Sequence, residues 1–330
     1  MEPLMLDQRH TARFLRITPF LTHMTMRYQS QRSFFSTFIK GLKRPVMGIL
    51  CIAVCSSSIA NAQIGESSPF RADTSRVDVS RISIFGGIVL ASGLTVHFAR
   101  YTPLWPEYYS SFRFRENFTY AQNQDKLLHF YGSFVGSSLS AKGLSWAGFD
   151  ERDAALYGSA ASLLFLTYMK IEDGHISYLG FDRVDEAANT LGAIYPAAQY
   201  YVPWLKSFTP KASYATSHNN VVMDAQKMPG FLEDHEGQKF WMGITVHDVL
   251  PLRLQEYWPS LIGVAVGYTV RGLNTAKPYH ETFVALDCDL RKLPGDSQFL
   301  KTLWQVLNYI HLPMPAVRVS PKAVWYGLYF

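Results

Sequence analysis

A chain of 330 residues is long enough for one large domain or two modest ones. Its formal charge of +5 suggests an anionic partner, but the excess is local. Residues 1–62 hold eight basic residues (Arg9, Arg13, Arg16, Arg27, Arg32, Lys40, Lys43 and Arg44) and two acids, Glu2 and Asp7, which leaves 23 basic against 24 acidic residues elsewhere. A near-neutral remainder excludes a nucleic-acid partner.

The basic segment reads as a leader over residues 1–62. Lys40, Lys43 and Arg44 form a positive start, Val46 to Val54 an apolar stretch, and Ala60-Asn61-Ala62 a small-x-small cleavage site before Gln63. An organellar transit peptide fits the Arg/Ser content but not the regular apolar stretch and cleavage box. The length places the natural start at Met24 or Met26 as readily as at Met1. Cys51 and Cys55 fall inside the leader, so the mature chain keeps Cys288 and has neither an intrachain disulfide nor a cysteine metal site. Ile52-Ala53-Val54-Cys55 faintly resembles an acylation box, but Val54 is larger than such boxes allow, and lipidation is not expected. The predicted location is the cell envelope, facing the periplasm.

Residues 63–80, rich in Ser, Asp and Arg without periodicity, read as a linker. Four apolar runs follow within residues 81–205: Ile82 to Ala99, Leu127 to Trp146, Ala154 to Met169 and Ala187 to Leu205. Asp150 or Asp153 is placed to cap the third and Asp182 the fourth. Their lengths lie where membrane spans and buried helices overlap. Gly132 and Gly136, with Gly158, Ser159, Ala160, Ala161 and Ser162, supply the small side chains that let helix backbones approach closely. A tightly packed soluble bundle shares that composition. The expectation is a four-helix, membrane-associated bundle.

Residues 206–330 are expected to be β-rich, with 206–239 polar and irregular. Strand character appears in Phe240 to His247, Leu261 to Val270, Thr282 to Leu290, Ala316 to Val319 and Val324 to Phe330, with one helical segment from Phe299 to Ile310. The closing Tyr326-Gly327-Leu328-Tyr329-Phe330 resembles the end of an outer-membrane barrel, yet a closed barrel needs about eight strands. The fold class is therefore α+β, a helical bundle followed by a small β-rich appendage.

Chemistry concentrates in the helical region. Asp125 and His129 are four residues apart on one helix face, as are Asp185 and Asn189. Lys170, Glu172 and Asp173 close the third run. If the helices alternate up and down, the start of the second, the end of the third and the start of the fourth meet at one end of the bundle. Asp125, His129, Asp173, Asp185 and Asn189, with Glu172 and Lys170 adjacent, then form one polar site. Its imidazole suits general acid–base work beside Asp125 or Asp185. Alternatively, His129, Asp173 and Asp185 suit a divalent cation. Each residue also has an ordinary explanation. Asp125 and Asp185 complement helix dipoles, Asn189 bridges helices, and His129 is a hydrogen-bonded core histidine.

The motifs Asp125-Lys126-x-x-His129-Phe130, Asp173-Gly174 and Gly180-Phe181-x-x-x-Asp185-x-x-x-Asn189-x-x-Gly192 resemble the YfiM-like family of predicted periplasmic lipoproteins of unknown function. Gly237-Gln238-x-Phe240-Trp241 and Phe299-Leu300-Lys301-Thr302-Leu303 resemble the tail of its longer, Bacteroidetes-type members. The order Asp-Lys-x-x-His, acid, Asp-x-x-x-Asn-x-x-Gly is more faintly similar to VanZ-like membrane proteins. In the YfiM-like pattern a glutamate precedes the turn aspartate by three residues, and here that position is Lys170. The resemblance implies a site location and an envelope setting, and it supplies no reaction. Three functions follow as expectations: a polar site acting on or binding lipid or cell-wall intermediates; a non-catalytic envelope scaffold, its polar cluster fixing helix packing and its β region binding an envelope protein; or divalent-metal or small-ligand binding.

Overall fold

The computed structural model describes residues 77–102, 104–217, 232 and 234–330. The leader, its cleavage site, Cys51, Cys55 and most of the linker lie outside the described residues.

Helix α1 runs from Val79 to Val96 and continues as a π-turn over His97–Tyr101. Asp78 caps it, accepting from the amides of Ser80 and Arg81 at 2.9 and 3.1 Å. None of the residues of α1 is buried, because its apolar side chains are spread around the cylinder and few of them meet the neighbouring helices. Helices α2 (Gln124–Trp146), α3 (Glu151–Gly174) and α4 (Arg183–Tyr201) pack against one another as the compact part of the bundle. Asp150 caps α3 through the Asp153 amide at 2.8 Å, and Asp182 caps α4 through the Val184 amide at 2.8 Å, so the aspartates just before each apolar run set where the helices begin.

Small residues explain how closely the three approach. A Cβ at Gly158 would stand 2.6 Å from the backbone nitrogen of Ala141, and one at Gly192 would fall on the Phe130 carbonyl. Only a hydrogen fits at either contact, which is why these crossings carry glycine. Within the first small pair, Gly136 faces Ser162, whereas Gly132 borders open space.

Two short strands, β1 (Phe114–Arg115) and β2 (Phe181–Asp182), pair in parallel beside the bundle. The C-terminal region is an antiparallel meander of β3 (Phe208–Tyr214), β4 (Gln238–Ile244), β5 (Ile262–Arg271), β6 (Tyr279–Cys288), β7 (Met314–Ser320) and β8 (Val324–Tyr329), adjacent in chain order. Helix α5 (Gln298–Leu307) lies between β6 and β7. Strand β3 corrects the sequence expectation of a polar, irregular stretch. Its Pro210, Lys211 and Ser213 carry no strand signature, but Lys211 is held by Asp287 (2.8 Å) and Asn308 (3.1 Å) from elsewhere in the sheet region. The far edge of β3 is also covered: the Ala212 amide donates to the Tyr309 carbonyl, and the His311 amide donates to the Ala212 carbonyl, each at 3.0 Å.

The two faces of the sheet differ. Trp241, Ala265, Phe283, Ala285 and Ala316 form the core of one face, with Tyr326 and Tyr329 packed against it. That face also holds charge: Arg271 and Arg318 both pair with Glu281, and His311 Nδ1 donates to Asp287 Oδ1 at 3.1 Å while stacking on Trp241. The opposite face seats on α2 around β3, β4 and β5, where Phe240 meets Tyr131 and Gln124 donates to the Gln238 carbonyl at 2.9 Å. Farther out it bears a row in register across four strands, Val266, Val284, Val317 and Trp325, each between 41% and 57% exposed. Charge and aromatic packing lie inside, and apolar side chains face outward.

Candidate functional site

The three helix ends converge. Asp185 of α4 is almost fully buried, and its two oxygens are divided between the other two helices. Oδ1 lies 2.7 Å from Lys126 Nζ of α2, and Oδ2 accepts from Lys170 Nζ of α3 at 2.7 Å. Lys126 also reaches Asp125 (3.3 Å) and Asp182 (3.7 Å), and Lys170 reaches Asp173 (3.7 Å).

His129 fills the gap between these carboxylates. Its Nε2 stands 3.4 Å from Asp185 Oδ2 and 3.7 Å from Asp125 Oδ1, while Nδ1 lies 3.1 Å from Asn189 Oδ1. The Asn189 amide is oriented by its own donation to Glu186 Oε2 at 3.1 Å, and Thr167 of α3 donates to the other Glu186 oxygen. Ser133 of α2 donates to the Asn189 carbonyl at 2.5 Å, adding a link between α2 and α4 one turn deeper. Both ring nitrogens therefore face oxygen acceptors.

The electrostatics favour the ionised acid. Burial alone would push the Asp185 carboxyl up, but His129, Lys170 and Lys126 hold it well below the usual carboxylate range. Burial would likewise lower Lys126, yet Asp185, Asp125 and Asp182 together raise its ammonium above its ordinary value.

Asp125, His129, Asp185 and Asn189 come together as the sequence predicts. Asp173 is set apart: it meets the cluster through Lys170 and otherwise accepts from the Tyr101 hydroxyl at 3.0 Å and from Arg100 at 3.5 Å. Glu172 is turned toward Tyr168 instead. Arg100 and Tyr101 escaped the sequence reading because they end an apolar run and reach Asp173 only through the π-turn of α1. Lys126 sat in the quoted motif without a role, although it supplies one of the two shortest contacts to Asp185.

The proposed cation ligands change as well. His129, Asp173 and Asp185 do not share a centre, whereas ligand atoms of Asp125, His129 and Asp185 lie within 4.8 Å of one another. That second set does not suit a divalent ion, because two ammonium groups already occupy the Asp185 carboxylate at 2.7 Å. A cation there would have to displace a lysine and then sit beside it.

The family model described as predicted periplasmic lipoprotein (domain of unknown function 2279) matches residues 90–201. The match spans the second half of α1 through α4 and contains every residue of the charge cluster, but it ends before β3, so the tail resemblance falls outside it. No curated protein and no solved structure matches the chain. Nothing in these comparisons supports the likeness to VanZ-like membrane proteins.

Proposed function

We propose, from the match of residues 90–201 to this family of predicted periplasmic lipoproteins, an exported envelope protein whose charge cluster locks the bundle in register without performing catalysis. One observation carries the reading: the two oxygens of Asp185 are each 2.7 Å from a lysine on a different helix. A catalytic carboxylate needs an oxygen available to substrate; here Oδ2 accepts from Lys170, and Oδ1, which accepts no hydrogen bond, is held in the ion pair with Lys126. Buried ion networks are better attested as devices for register than as sources of stability. Lys170, standing where the resembled pattern has an acid, turns an acidic cluster into a neutralised one.

The lock separates from an enzyme by replacement in pairs. Lys170→Met with Asp185→Leu removes a buried pair together, and the expected result is a folded, abundant protein that retains its cellular phenotype. Loss of the phenotype at wild-type abundance in envelope fractions would overturn the lock.

A second reading has its own support in the triangle of Asp125, His129 and Asp185, whose His129 side chain remains 21% exposed. It predicts that His129→Ala abolishes the phenotype without reducing the amount of folded protein. Membrane seating belongs to the same proposal, and supporting it are the apolar outward row of the sheet and the unburied α1, which is long and apolar enough to cross a bilayer.

A further inference from the structure

At the bundle end opposite the charge cluster, a cavity of about 350 Å³ opens between the helices and the sheet region. Its volume lies within the range of small-molecule sites. Lys142 of α2 enters it, and the Nζ of Lys142 donates to Gln305 Oε1. Among the described residues, no carboxylate lies within ion-pairing distance of that ammonium. Arg291 on the same wall is already spent on both oxygens of Asp289, at 2.7 Å each.

Two further wall residues carry polar atoms without partners. Asn308 is 1% exposed, and its Oδ1 accepts from Lys211 at 3.1 Å and from the Leu290 amide at 2.9 Å. Those bonds fix the amide, and its Nδ2 is a buried donor with no acceptor. Thr209, 4% exposed, likewise has an Oγ1 without a partner. Buried donors are normally satisfied, and a set of them beside an unpaired cation describes a missing acceptor. Phe134, Ala155, Pro196 and Tyr309 give the wall an apolar and aromatic part, and Glu151, Gln199 and Lys206 complete its polar part.

We propose that this cavity binds a phosphate-type oxyanion, with Lys142 supplying charge, Asn308 Nδ2 and Thr209 Oγ1 supplying hydrogen bonds, and the apolar wall accepting whatever the anion is attached to. Its source is a lipid headgroup or a small free phosphate, since both present the same oxygens. Burial and the neighbouring Arg291 push the Lys142 ammonium down to about 8, so the charge is held without a counter-ion until an anion arrives. The titratable groups facing it are Glu151, Tyr200, Lys206, Arg291 and Tyr309, and one of these, Glu151, is an acid.

Calorimetric titration of the full chain in neutral detergent, with inorganic phosphate and separately with dihexanoyl phosphatidic acid, tests the site. Saturable binding of at least one probe is expected. Tighter binding of the lipid identifies a headgroup, and equal or tighter binding of inorganic phosphate identifies a free anion. Lys142→Met should weaken binding at least tenfold while the unfolding midpoint holds or rises, and Thr209→Val should weaken it severalfold. The advantage of wild type over Lys142→Met should shrink between pH 7 and pH 9, a comparison at each pH that cancels the ionisation of the probe itself. No saturable heat from either probe at millimolar concentration overturns the proposal, as does unchanged affinity in Lys142→Met. Should Lys142→Met fail to fold, Lys142→Gln and Thr209→Val carry the same expectations.

Discussion

Asp185 concentrates the physics of the bundle in one side chain. Its folded-state pKa is depressed, so ionised Asp185 stabilises the native state at pH values above the unfolded carboxylate value, about 3.9. That contribution is lost as pH falls below that value toward the lower folded-state pKa. Unfolding free energy measured by denaturant from pH 7 to pH 2 should therefore drop below about pH 4, and the Lys170→Met/Asp185→Leu pair should flatten this loss. Asp185→Asn alone leaves two ammonium groups facing a neutral amide, and a destabilisation of about 3–5 kcal/mol is expected in the same measurement. An Asn variant as stable as wild type would mean that the longer contacts, Asp125 and Asp182 to Lys126 and Asp173 to Lys170, are enough to hold the lysines. At this scale the sequence was informative wherever spacing within one helix sufficed, as for Asp125 with His129 and Asp185 with Asn189. Arg100 and Tyr101 were not legible, because their partner Asp173 is defined by the geometry of a π-turn in another helix.

The helices themselves were legible because aspartate caps and long apolar runs are local signals, and each run falls within the helix now observed, allowing for the π-turn after α1 and the 3₁₀ turn after α4. Which glycine matters was not, since composition does not say which small residue faces a neighbour. The structure separates two cases. Gly192→Ala should destabilise by roughly 1–3 kcal/mol, because its methyl falls on the Phe130 carbonyl and α2 and α4 must part. Gly132→Ala, with open space around it, should stabilise by about 0.5–1 kcal/mol through helix propensity alone. Thermal unfolding of the two variants side by side checks both signs. Strand β3 illustrates the opposite limit. Its central residues, Pro210 to Ser213, have no intrinsic preference for a strand, and pairing with β4 on one side and residues 309–311 on the other imposes the conformation.

For the whole molecule, the neutral balance beyond the leader and the division into helices and sheet could be read from composition and order. How the two parts meet could not, because contacts such as Tyr131 Oη donating to the Tyr309 carbonyl at 2.9 Å join residues far apart in the chain. The outward apolar row also needed the register, which aligns Val266, Val284, Val317 and Trp325 across neighbouring strands. If that row lies in lipid, Val284→Asp with Val317→Asp should reduce flotation of the purified protein with phospholipid vesicles at least severalfold, while circular dichroism in detergent stays unchanged. Undiminished flotation would assign membrane contact to α1 alone. Cys55, the candidate acylation site, bears on the same question. The family's description as lipoproteins runs against the expectation from Val54, and incorporation of labelled palmitate into wild type but not Cys55→Ser would decide for the family.

The stitch between Ala212 and the segment at 309–311 sets the order in which the edge of β3 can be covered as the chain folds. Roughly a hundred residues lie between the two sides of that contact, and loops of that size close slowly. The outer edge of β3 waits, unpaired, until residues 309–311 are available to cover it. A chain halted before residue 309 would present that strand edge to any other chain nearby, so residues 309–311 act as an internal guard against aggregation.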